Sequence, residues 1–165
     1  MTTTMPNQLP FGTAEFEQRN SRLRHALSNH KLDALITFVQ ENQYWICGYE
    51  TTGFHSFPQA LIVTANGDKL LVTRQLEIEN ATDNAHELPA VGYQDGETPG
   101  RAIANSLLDA GLGGARVGVE KSTPWLTVDI YEALRDSAPE AEFVDCAGLI
   151  ENLRRIKSAA EIDYM

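Results

Sequence analysis

The run ALIVTANGDKLLVT, residues 60–73, constrains the fold more than any other part of the chain. Two short apolar segments rich in β-branched and aliphatic residues flank an Asn-Gly step, which accepts the positive φ angles of a tight turn. This predicts an antiparallel hairpin with strands at residues 60–64 and 69–73. Two strands alone are not stable in water, so the rest of the chain must cover them. Four further runs read as strands: ALITFV (34–39), LPAVGY (88–93), ARVGVE (115–120) and EFVDC (142–146). The first is a short apolar run rich in β-branched residues, as expected of a strand buried on both faces.

Helical patterns separate these runs. From Thr13, taken as a cap, Glu15 and Glu17 suit a first turn, Phe16, Leu23, Ala26 and Leu27 form one stripe, and Lys31 suits the end. ENQYWICGY reads as a short helix closed by Gly48, and residues 76–85 as another. Thr98 is expected to cap a helix with Pro99 at its first position and Ile103, Leu107 and Leu108 facing inward; Gly111, Gly113 and Gly114 stop it. Thr123-Pro124 opens the next, through Val128, Tyr131 and Leu134. Six strands alternating with about five helices indicate an α/β layer fold with a mixed six-stranded sheet flanked by helices.

The length, 165 residues, suits one domain. Thirteen Lys and Arg against 23 Asp and Glu give a formal charge of −10, which argues against nucleic acid and anionic membranes as partners. Two cysteines, Cys47 and Cys146, are too few for a disulfide framework and fit a reducing cytoplasm. The start, MTTTMPNQLP, lacks a signal peptide's basic and apolar parts and reads as a loose tail within residues 1–12. At the other end, Ser158 and Glu161 form a capping box, which announces a helix, yet only about one turn of chain follows. The expected organisation is a domain over residues 13–152, then a linker and helix start over 153–165 leading into a further domain.

Candidate chemistry is sparse. His25, His30, His55 and His86 are scattered; Glu79, Asp83 and His86 could share a helix face, but chance triplets on acidic helices are common, and no metal site is expected. Cys47 and Cys146 sit among apolar residues that silence thiols. GLGGARVG fails the dinucleotide pattern and precedes a strand instead of following one. Glu120 and Asp145, at strand ends, could do acid–base work, although solvent or a local cap is the preferred reading. Arg154, Arg155 and Lys157 are read as a connector pairing with acidic neighbours. The loop holding Tyr49, Phe54, His55 and Phe57 is the best functional candidate, since rigid aromatics on loops anchor contacts with partners or substrates. The competing reading makes them a lid folded over the core.

Taken in order, LDALITF, ENQYWICGY, ALIVTANGDKLLVTR, RVGVE, FVDC and LRRIKSAAEI resemble the amino-terminal domain of the creatinase/prolidase family, the "pita-bread" metallohydrolases. The resemblance runs from Phe16 to Met165. It implies a six-stranded mixed sheet with ribonuclease H-like layering and a supporting role in subunit assembly and active-site gating. It also implies a carboxy-terminal catalytic domain whose two Asp, one His and two Glu hold divalent metal, usually two ions. None of those motifs lies here, so no catalytic residue and no cofactor is assigned to this chain. The implied partners are that domain and a second subunit, as a homodimer, with residues 49–57 reaching the neighbour's active site. The whole enzyme would hydrolyse a C–N bond, in an Xaa-Pro peptide or a small amidino or cyclic amidine compound. Two other readings are a stand-alone binding module using the same loop, and a small hydrolase using Glu120, Asp145 or the Asp83/His86 pair.

Overall fold

The computed structural model describes residues 11–83, 85, 86 and 88–165. The tail expected over residues 1–10 lies outside them. Phe11, also assigned to that tail, packs its ring 4.1 Å from the Arg19 guanidinium and is not loose.

The chain runs α1 (Thr13–Asn29), β1 (Ala34–Thr37), α2 (Gln40–Cys47), β2 (Ala60–Thr64), β3 (Lys69–Arg74), α3 (Ile78–Asp83), β4 (Ala90–Tyr93), α4 (Pro99–Asp109), β5 (Arg116–Val119), α5 (Val128–Ser137), β6 (Glu142–Asp145), α6 (Leu149–Arg155) and α7 (Ala159–Tyr164). One six-stranded sheet has the order β4-β3-β2-β1-β5-β6. β1, β2 and β3 pair antiparallel, while β5 on β1, β6 on β5 and β4 on β3 pair parallel. The mixed sheet expected from the sequence is present.

Strand periodicity explains why β1 and β2 are apolar up to their terminal threonines, Thr37 and Thr64. Leu35, Leu61, Val63 and Leu71 face one side with Leu23 and Leu27 of α1 and Trp45 and Ile46 of α2. Ile36, Ala60, Ile62 and Val72 face the other, with Ile103 and Leu107 of α4 and Ile130 and Leu134 of α5. Successive side chains point to opposite faces, so a strand covered on both is apolar except where a buried polar side chain finds a partner, as Thr37 does in Glu120.

The hairpin is present, with its strands where the sequence placed them. Only Gly67 takes positive φ, at 98°, and Asn66 does not. Gly67 N donates to Thr64 O at 2.9 Å, and Thr64 N to Asp68 O at 2.9 Å, so three residues form the loop.

Other local expectations shift. Gly12, not Thr13, is the N-cap of α1. Thr98 precedes Pro99 as expected but makes no side-chain cap bond. Leu108 is 45% exposed, because the i, i+4 pair Ile103 and Leu107 already fills the inward stripe of α4. α5 begins after Thr127, whose hydroxyl accepts from Ile130 N at 3.3 Å, and not at Thr123-Pro124.

α6 was not expected. It begins after Gly148, held at φ 85°, and the expected boundary at residue 152/153 falls inside it. α7 follows the foreseen capping box: Ser158 N donates to Glu161 Oε2 at 2.8 Å and Glu161 N to Ser158 Oγ at 3.1 Å. Among the described residues, no helix is long and apolar enough to cross a membrane.

Candidate functional site

The loop between α2 and β2 leaves Gly48, whose φ of 77° ends the helix in a left-handed turn that glycine adopts without a Cβ penalty. Tyr49 then turns inward. It is fully buried, its hydroxyl donates to Gln59 Oε1 at 3.2 Å, and burial pushes its phenol up to about 12. The sequence grouped Tyr49 with the loop aromatics; the structure makes it part of the core. Beyond it, Thr51 starts a short 3-10 turn (Thr52–His55), its hydroxyl accepting from Gly53 N at 3.0 Å and donating to Glu77 Oε2 at 3.1 Å. Phe57 lies over Gly53 so closely that a Cβ there would stand 2.4 Å from its ring.

The Phe54 and His55 rings meet at 3.8 Å between centroids, and each lies 5.2 Å from the ring of Trp125. Trp125 comes from the β5–α5 connection, so two separate loops build one aromatic cluster. With Phe38, Phe57 and Pro124 it lines a cleft of about 180 Å³. Among the residues lining the cleft there is no carboxylate, and His55 is its one imidazole. Its aromatic walls can hold an apolar ligand group and exclude water from it.

A second constellation lies at the carboxyl ends of β1 and β5. Glu120 is 2% exposed. It accepts from the Thr37 hydroxyl and from Asn42 Nδ2 at 2.5 Å. Burial pushes its carboxyl up to about 7, the nearby Glu151 adding to the rise and the Thr37 and Asn42 hydrogen bonds opposing it. The solvated or locally capped role expected of Glu120 is therefore corrected. Asp145 does fit that role: it is exposed and accepts from Ala147 N at 3.0 Å and Lys121 N at 3.3 Å.

The other candidates disperse. Glu79 and Asp83 are exposed, and His86 stacks on Phe16 at 5.2 Å. His25 and His30 are exposed at the outer face and end of α1. Among the described residues, no three His, Cys, Asp or Glu side chains gather as metal ligands. Both cysteines are buried and free, and burial lifts Cys47 to about 11 and Cys146 to about 12. The basic cluster bonds amides and carbonyls: Arg154 to Asn42 Oδ1 at 2.8 Å, Arg155 to Asn152 Oδ1 at 3.4 Å, and Lys157 to Arg154 O at 2.5 Å.

Residues 19–156 match the model of the creatinase/prolidase N-terminal domain. The chain belongs to this family. Ectoine hydrolase of Halomonas elongata is 26% identical over 95% of this chain and 41% of its own length. Creatinase of a Bacillus species is 27% identical over 94% of this chain and 37% of its own length. A crystal structure of a proline dipeptidase from Streptococcus pneumoniae gives a TM-score of 0.70 at 27% identity, covering 84% of this chain and 98% of that one. The chain spans about two fifths of the length of the curated relatives it matches.

Within this creatinase/prolidase N-terminal domain, sequence reasoning missed two contributors. Trp125 stands 71 positions from Phe54, and nothing local in STPWLT tells which loop it meets. Asn42 joins Glu120 across 78 positions. The sequence did mark its partner: Glu120 follows a buried parallel strand, at the usual ligand end of such sheets.

Proposed function

We propose that the chain is the non-catalytic amino-terminal domain of a hydrolase that cleaves a C–N bond, with the chemistry carried by a metal-binding domain beyond residue 165. In this reading the domain serves subunit assembly, as a homodimer, and gates the active site of the neighbouring subunit in the cytoplasm. Substrates would be an Xaa-Pro peptide or a small amidino or cyclic amidine compound. The supporting observation is the coverage: nearly all of this chain aligns with about two fifths of enzymes named as hydrolases. Two buried free thiols agree with a reducing compartment.

The gating surface would be Phe54, His55 and Phe57, with Trp125 as their support; Tyr49 is buried and takes no part. The test uses the full-length protein carrying its metal. Phe57→Ala or His55→Ala should raise KM or lower kcat with bound metal unchanged. Wild-type kinetics in both variants would remove the loop from gating. Turnover by residues 1–165 alone would overturn the non-catalytic assignment.

A further inference from the structure

Asn42 stands between two carboxylates. Its Nδ2 donates to Glu120 Oε1 at 2.5 Å and to Glu151 Oε1 at 2.9 Å, and its Oδ1 accepts from Arg154 Nη1 at 2.8 Å. Both amide hydrogens and an oxygen lone pair are thereby committed. The Thr37 hydroxyl holds the other oxygen of Glu120. Glu151 Oε2 is buried with no hydrogen-bond partner.

The charges facing this cluster do not balance. α6 brings Glu151 and Arg154, while β1 and α2 contribute the neutral Thr37 and Asn42. The end of β6 adds Asp145 and Cys146, both of which feel or exert the field of this cluster, and burial keeps the Cys146 thiol protonated. Lys121, next to Glu120, turns away to the Phe143 carbonyl at 3.4 Å. The one guanidinium of the cluster bonds the Asn42 amide oxygen and neither carboxylate, so an ionised Glu120 would be a buried charge held by three neutral donors, the Thr37 hydroxyl, the Asn42 amide and the Phe38 backbone.

We propose that the Glu120–Asn42–Glu151 bridge acts as a pH-operated clamp that holds α6 against α2 and the carboxyl end of β5. Protonated Glu120 leaves Asn42 bridging one neutral and one charged carboxyl, with Arg154 held on the amide oxygen. Proton loss places two negative charges on the same amide, and α6 loosens. Burial and the Glu151 charge put this change near neutral pH. Its reach extends in two directions: α6 leads into residues 156–158 and α7, and α2 ends at Gly48, where the aromatic loop begins. The inference rests on this chain alone and not on the proposed hydrolase function.

Carboxyl-carbon NMR and amide hydrogen exchange on the 165-residue chain between pH 5.5 and 8.5 test it. The Glu120 carboxyl should titrate near neutrality, with the Asn42 side-chain amide and the α6 backbone amides following the same midpoint. Exchange protection in α6, corrected for intrinsic rates, should fall about tenfold or more across the range. In Glu120→Gln, which keeps the size and one acceptor oxygen but removes the charge, that dependence should vanish. If that variant fails to fold, Glu151→Gln should lower the Glu120 midpoint. The clamp is overturned by ordinary carboxyl titration of Glu120, by α6 signals insensitive to pH, or by an unchanged pH dependence in Glu120→Gln. It is also overturned if α6 amides are as protected as those of β1 and β2, since α6 would then open only with the whole fold.

Discussion

Arg19 of α1 and Glu161 of α7 form an ion pair with Nη2 and Oε1 3.3 Å apart, both side chains nearly buried. Trp45 Nε1 donates to the same Glu161 oxygen at 3.1 Å, and Arg19 Nη1 donates to Trp45 O at 3.1 Å. Glu15 pairs with Arg19 at 2.7 Å and accepts from the Ser158 hydroxyl at 2.8 Å. The capping box thus does more than start α7. Its glutamate fastens that helix to α1 and α2.

Removing this carboxylate should cost far more than a lost cap. A cap alone is worth about 1 kcal/mol, whereas breaking one side of a buried pair costs about 3–5 kcal/mol. Because Glu15 still faces Arg19, Glu161→Ala is expected near the lower end of that range. Urea unfolding would measure it, and a loss below about 1 kcal/mol would mean that α7 is not anchored through Glu161.

Glu120 makes stability depend on pH in a defined direction. Its folded carboxyl titrates near about 7, against 4.5 for the unperturbed group. Between those values the folded chain holds a proton that the unfolded chain has lost, so stability is full below the lower value and declines as pH rises through the upper. A shift of that size corresponds to about 3 kcal/mol. Thermal unfolding should give a higher Tm at pH 5 than at pH 8 from this group, and Glu120→Gln should flatten the difference.

The two thiols should be inert in the folded chain. With Cys47 raised to about 11 and Cys146 to about 12, little thiolate exists at pH 8. A chromogenic disulfide reagent should titrate neither quickly under native conditions and both at once in denaturant. Rapid native reaction at Cys146 would show that the β6–α6 corner opens.

Gly100 marks the closest approach of α4 and α5. A Cβ there would lie 2.3 Å from the Ile130 carbonyl oxygen. Alanine normally gains about 1 kcal/mol over glycine inside a helix. Here overpacking against backbone, worth about 1–3 kcal/mol, should win, and Gly100→Ala should unfold at lower denaturant concentration than wild type. A stabilised variant would show that the two helices separate freely.

The elements that sequence made legible were those set by local chemistry. β2 and β3 followed from their apolar runs, α2 from Gly48, and α7 from Ser158 and Glu161. α6 was missed because its apolar residues, Leu149, Ile150 and Leu153, span barely two turns and offer too little periodicity. Thr127 lost to Thr123-Pro124 because both fit a helix start, and only the burial of Ile130 and Leu134 decides between them. The candidate site divides in the same way. Phe54, His55 and Phe57 were visible as a local cluster. Trp125 and Asn42 join their partners through tertiary contacts that no neighbouring residue encodes, and Tyr49 differs from the loop aromatics only because Gln59 lies inside to receive its hydroxyl.

The sheet ends in β4 on one side and β6 on the other, each four residues long. Both are poor templates for another strand. β6 carries exposed acids at both ends, Glu142 and Asp145, and β4 has Gly92 packed beneath Gln75. A second copy approaching edge to edge would set like charges against each other on one border and find little ladder on the other. The fold thus discourages the open-ended, edge-to-edge stacking that leads to fibres.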